Sequence, residues 1–132
     1  MNKKILFSTL FLVLSWIMTA CGPRGTTLNV TATDTGYDSQ TYTVPAGTEV
    51  TVNMTNKGVL EHEFAILNKG AQVTLPFSED DESKIFWELD GVAAGTTKSD
   101  TFTAPTDPGE YTVICGIPGH IEKGMTATLI VK

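Results

Sequence analysis

An all-β fold, a Greek-key antiparallel sandwich of about seven to eight short strands, is what this chain of 132 residues predicts. Three features predict it. Apolar residues alternate with polar ones through most of the chain beyond Leu28, the period of half-buried strands. Thr and Val dominate those stretches, as branched side chains suit a pleated surface. Turn-forming clusters punctuate them: Asp34-Thr35-Gly36, Pro45-Ala46-Gly47, Asn56-Lys57-Gly58, Asn68-Lys69-Gly70 and Asp107-Pro108-Gly109.

The first segment stands apart. Asn2, Lys3 and Lys4 precede an apolar run from Ile5 to Met18, then small residues and Cys21. This is the layout of an export signal, and the run is short for a membrane-spanning helix. Met18-Thr19-Ala20-Cys21 resembles a bacterial lipobox, which implies cleavage before Cys21 and lipid attachment to it. The expected organisation is a lipoprotein signal over 1–20, an anchor and tether over 21–27, and one domain over 28–132. Several acyl chains on Cys21 would suffice for stable anchoring. The expected location is the periplasmic or extracytoplasmic face of the cell membrane.

Further on, Leu28, Val30 and Ala32 form one strand face, and Val50, Val52 and Met54 another. Tyr111, Val113 and Cys115 make a third, and Met125, Ala127, Leu129 and Val131 a fourth. One stretch breaks the pattern. Ser78 before Glu79-Asp80-Asp81-Glu82 suits a helix start, where acidic groups meet the positive dipole end. A short helical or irregular insertion is expected near 78–90, with Ile85, Phe86 and Leu89 as its buried stripe and Gly91 as its stop.

Without the signal, seven Lys and Arg face fifteen Asp and Glu, a net charge of minus eight. That balance argues against nucleic acid and against electrostatic adhesion to anionic lipid. A disulfide between the two cysteines is not expected, because Cys21 sits at the signal boundary and Cys115 beside a His and a Met.

The chemistry concentrates in Cys115-Gly116-Ile117-Pro118-Gly119-His120 and the following run to Met125. Each residue alone has an ordinary explanation: Cys115 and Met125 as core, His120 as a turn residue, His62 as a hydrogen-bonded histidine at a strand start. Together they are harder to dismiss, since the chain holds only two histidines. A thiolate, two imidazoles and a distant thioether are the donor set of a blue-copper electron-transfer site.

From Leu28 to Lys132 the chain resembles the cupredoxin family, and within it the auracyanins and azurin-like small blue-copper proteins. The resemblance is carried by TVPAGTEVTVNMTN, a His after the next turn, and GEYTVICGIPGHIEKGM. It implies one type 1 copper ion held by His62, Cys115 and His120, with Met125 as the weak axial ligand. Four residues on each side of His120 look like auracyanin; plastocyanin has a shorter gap before its His and azurin before its Met. Two positions depart from the pattern. Glu63 follows the first His where Asn is usual, and Gly116 follows Cys115 where a larger or hydroxyl-bearing residue is common.

The expected function is electron transfer between redox protein partners, by a monomer without catalysis of its own. The alternative is a copper-binding or copper-delivery protein. Copper oxidases and nitrite reductases need further clustered histidines, which this chain lacks. His120, with Ile117, Pro118, Val59 and Leu60 around it, is the expected point of electron entry or exit.

Overall fold

Alternation translates directly into two packed sheets. The structure is a computed structural model that describes residues 25–132. The signal and Cys21 lie outside the described residues. No helix among the described residues is long and apolar enough to cross a membrane.

Among the described residues nine strands form: β1 (Thr26–Thr33), β2 (Gly36–Tyr37), β3 (Thr41–Val44), β4 (Glu49–Asn56), β5 (His62–Leu67), β6 (Ile85–Val92), β7 (Thr97–Thr103), β8 (Gly109–Ile114) and β9 (Thr126–Val131). One sheet has the order β2-β1-β4-β7 and the other β3-β9-β8-β5-β6. The chain passes between them from β2 to β3, β3 to β4, β4 to β5, β6 to β7 and β7 to β8.

The sandwich is mixed rather than wholly antiparallel. β1 runs parallel to β4, from Thr26 opposite Val50 to Ala32 opposite Asn56, and β3 runs parallel to β9. Hairpins force antiparallel neighbours, whereas a chain that crosses to the other sheet before returning is free to lie parallel. Alternation reports which face is buried and carries no information on neighbour direction. The parallel pairing of β1 with β4 includes Thr26 and Thr27.

Every residue of the four predicted inward faces is buried, from Leu28 to Val131. Phe64 stands at the centre, meeting Tyr37 and Tyr42 edge-on with ring centroids 5.4 and 5.5 Å away. Burying such rings removes large apolar areas from water, each contributing about 1.5–3 kcal/mol.

The insertion is smaller than expected. Helix is confined to a 3-10 segment, Glu79–Lys84. Ile85 to Val92 instead form β6, antiparallel to β5. Of the expected stripe, Leu89 is buried, Ile85 half-buried and Phe86 exposed. Aromatic and branched residues at 85–87 suit a strand, and pairing with β5 outweighs the local acidic start.

Within the acidic run, Asp81 is buried. Its carboxylate accepts hydrogen bonds from the Thr74 hydroxyl at 2.7 Å and the Ser78 N–H at 3.3 Å, and pairs with Lys84 at 2.7 Å. These contacts fasten the 68–84 excursion over the outer face of β5 and β8. There Phe77 packs with Ala65, Leu67 and Ile114 in a second small core.

Candidate metal centre

Three elements converge at one end of the sandwich. His62 is the first residue of β5, Cys115 follows the last residue of β8, and Met125 precedes β9. His120 lies in the turn between Cys115 and Met125. β8 and β9 are antiparallel neighbours with Ile114 opposite Thr126, so the loop must close on itself. Two backbone bonds close it: the Cys115 N–H donates to the Met125 carbonyl, and the Met125 N–H to the His120 carbonyl, both at 3.1 Å. Gly119 adopts φ +85°, a conformation that glycine takes without penalty.

One donor atom from each of His62, Cys115 and His120 lies within 4.8 Å of the others, and all three residues are buried. Cys115 Sγ is 3.3 Å from His120 Nδ1, and the two imidazole centroids are 5.1 Å apart. Met125 is fully buried in the same core cluster as Cys115. Cys21 lies outside the described residues, and Cys115 is a free buried cysteine.

Electrostatics prepare these donors. Burial pushes the Cys115 thiol up to about 11, against the pull of the Ile117 and Glu63 backbone N–H groups. The Glu63 N–H reaches Sγ at 3.4 Å. Burial lowers the His120 pKa, helped by the nearby His62, so its imidazole is neutral at neutral pH. His62 Nε2 lies 3.0 Å from Asp34 Oδ1. Its Nδ1 is the sole buried side-chain nitrogen or oxygen without a hydrogen-bond partner among the described residues. An orphaned buried nitrogen is costly unless something coordinates it. A soft thiolate beside two imidazoles then fits copper, and a fourth firm donor for zinc is missing from the group.

The two unusual positions turn out to occupy one another's space. Glu63 projects to the sheet face opposite His62, where the loop after Cys115 passes over it. A Cβ on Gly116 would lie 2.9 Å from Glu63 Oε2 and 3.4 Å from the Phe77 ring. A side chain at position 116 would therefore make the Glu63 carboxylate shift. Burial, with repulsion from Glu88 and Asp90, raises the Glu63 pKa to about 6, while the Gly116 amide acts in the opposite direction. The carboxylate faces an acidic pocket whose walls include Glu82, Glu88, Ile117 and Pro118.

Sequence reasoning missed Asp34, Asn56 and Gly58, which support the site from behind. Asn56 is buried; its Nδ2 donates to the Leu60 carbonyl at 2.7 Å and the Val92 carbonyl at 2.8 Å. Its Oδ1 accepts the Gly58 N–H at 2.8 Å. Asp34 is held below the usual carboxylate range by the Leu60 and Val59 N–H groups. All three belong to Asp-Thr-Gly and Asn-Lys-Gly runs, where turn chemistry already accounts for them. The Tyr37 hydroxyl adds a bond to the Glu63 carbonyl, fixing the backbone just after His62.

Known proteins agree with this geometry. The sulfocyanin (SoxE) domain family matches residues 4–132. Sulfocyanin of Sulfolobus acidocaldarius is 26% identical over 96 residues, 66% of this chain and 48% of that protein. The match thus spans about half the length of that relative. Reduced auracyanin from Roseiflexus castenholzii superposes with a TM-score of 0.69 at 27% identity, covering 81% of this chain and 97% of that one. Auracyanin A from Chloroflexus aurantiacus, a "blue" copper protein, gives 0.67 at 25% identity, covering 83% and 100%. The chain belongs to the sulfocyanin (SoxE) domain family and has the cupredoxin fold.

Proposed function

We propose that the protein is an exported electron carrier with one type 1 copper ion, held by His62, Cys115 and His120 and weakly by Met125. The observation that carries this reading is the buried convergence of a thiol and two imidazoles, with His62 Nδ1 left free of any hydrogen bond. Copper, when bound there, supplies a one-electron couple. The protein supplies the rest. The two loop-closing backbone bonds and the Tyr37 anchor hold the donors in place, so that little has to move between oxidation states. Burial keeps water from the sulfur, and His120, 6% exposed, is the bridge to the surface.

Around it, Val59 is 81% and Leu60 42% exposed, and Pro118 is exposed beside half-buried Ile117. Exposed apolar residues of this kind suit brief encounters with redox partners. The lipobox at Cys21 supports lipid anchoring at the outer face of the cell membrane, with the domain acting as a monomer. Copper delivery is less well supported, since a buried, loop-locked site does not favour exchange.

The test is to load metal-free protein with Cu(II) and record visible absorption and electron paramagnetic resonance. An intense thiolate-to-copper band with narrow hyperfine splitting, lost in Cys115→Ser, is the expected result. A pale, weakly held copper spectrum would overturn the reading. For the docking patch, Pro118→Glu should slow transfer to a physiological partner while leaving the spectrum intact. For the anchor, Cys21→Ser should release the protein from membranes.

A further inference from the structure

Asp34 lies in the turn after β1, on the sheet that contributes none of the metal donors. Its Oδ1 accepts from three directions at once: the Val59 N–H at 3.0 Å, the Leu60 N–H at 3.1 Å and His62 Nε2 at 3.0 Å. Oδ2 also accepts from Val59, at 3.1 Å. An ionised carboxylate can only accept, so the hydrogen of this contact must sit on Nε2. In the neutral imidazole the opposite ring nitrogen then carries the bare lone pair, and that nitrogen is the buried Nδ1 without a partner.

Gly58 makes the arrangement possible. A Cβ there would collide with Asp34 Oδ1 and lie 2.9 Å from His62 Nε2. The carboxylate and the imidazole edge therefore lie against bare backbone, and the chain has glycine where any other residue would part them. Asp34 is about one-third exposed while the His62 ring is fully buried. The pair links solvent to the centre.

We propose that Asp34 is a positioning residue for the copper centre: by accepting the Nε2 hydrogen it fixes His62 in the tautomer whose Nδ1 faces the metal, and it raises the donor strength of that imidazole in favour of the oxidised ion. A carboxylate behind a metal-bound histidine orients the ring and makes it more basic. The added negative charge is felt more strongly by the higher-charged state, so it lowers the reduction potential. The inference rests on His62 being a copper ligand.

The first test needs neither copper nor a variant. Long-range proton–nitrogen correlation spectra of the metal-free protein should show His62 protonated at Nε2 and unprotonated at Nδ1. The reverse tautomer would overturn the proposal. The second test is Asp34→Asn, which keeps Oδ1 as acceptor and removes the charge. Cu(II) affinity should fall about tenfold relative to Cu(I), read as a rise in midpoint potential of ~59 mV for a one-electron couple, with the thiolate band retained. An unchanged potential in a folded, blue variant would sink the idea. Gly58→Ala offers an independent route, because it disturbs the same contact without altering charge. It should broaden or shift the copper resonance, and an unaltered spectrum would count as refutation. A wild-type protein that bound no copper in the blue form would defeat the copper reading while the tautomer result still stood.

Discussion

At the scale of single residues, the metal centre is a set of groups kept in states that water would not favour. With its pKa near 11, the Cys115 thiol keeps its proton at neutral pH when no metal is present. Metal must displace that proton, because the thiolate is the ligand. Copper uptake at pH 7 should therefore release about one proton per site. Titration in two buffers of different ionisation enthalpy would measure it, and Cys115→Ser should abolish it. Glu63 gives a second prediction. Its carboxylate lies over the loop that follows Cys115 and ionises near pH 6. A negative charge there favours the oxidised ion, so the midpoint potential should fall as pH rises through about 6. Voltammetry across that range should give a flatter profile for Glu63→Gln.

His62, Cys115 and His120, which the fold brings together, could be singled out in the sequence because soft and imidazole residues at such spacing have few other common uses. Asp34 could not. Its role depends on β1 ending beside the start of β5, a neighbour relation set by two sheets packing face to face and invisible to local pattern.

At the scale of elements, the connection between β4 and β5 decides how firmly the site is held. Asn56 ends β4 and ties Gly58, Leu60 and Val92 together with one amide. Asn56→Ala would leave the buried Val92 carbonyl, the part-buried Leu60 carbonyl and the Gly58 N–H without partners, and should destabilise the metal-free fold by about 2–3 kcal/mol. Urea unfolding would show this as a lower midpoint with an unchanged slope. Elements with strict alternation, such as β4 and β9, were legible residue by residue. β6 was not, because its residues alternate poorly and an acidic run stands just before it. There the sequence carries a real local signal, which survives as the 3-10 segment Glu79–Lys84. Pairing along β5 then takes over from Ile85.

At the scale of the whole molecule, acidity and burial set how stability responds to pH. Glu63 binds its proton more tightly folded than unfolded, between the ordinary value of 4.5 and about 6. Across that window its contribution is lost as pH rises. Buried His120 acts in the opposite sense, since its lowered pKa means stability falls as pH drops below 6.5. Total stability mixes the two. The difference between wild type and Glu63→Gln isolates the first, and it should shrink the pH dependence between 4.5 and 6 in chemical unfolding of the metal-free protein. Asp34 and Asp81, both held below the ordinary aspartate value of 3.8, add stability that disappears only in stronger acid.

The single carboxylate of Asp34 grips the Val59–Leu60 backbone and the His62 ring together. The exposed apolar patch and the metal ligand thus share one mechanical anchor. A partner that presses on Val59 strains the same contact that sets the donor strength of His62. Thermodynamic reciprocity then applies: if docking changes the reduction potential by some factor in the equilibrium constant, the oxidation state changes docking affinity by that same factor. Built this way, a carrier can hold the partner that suits its charge state and let go once the electron has moved.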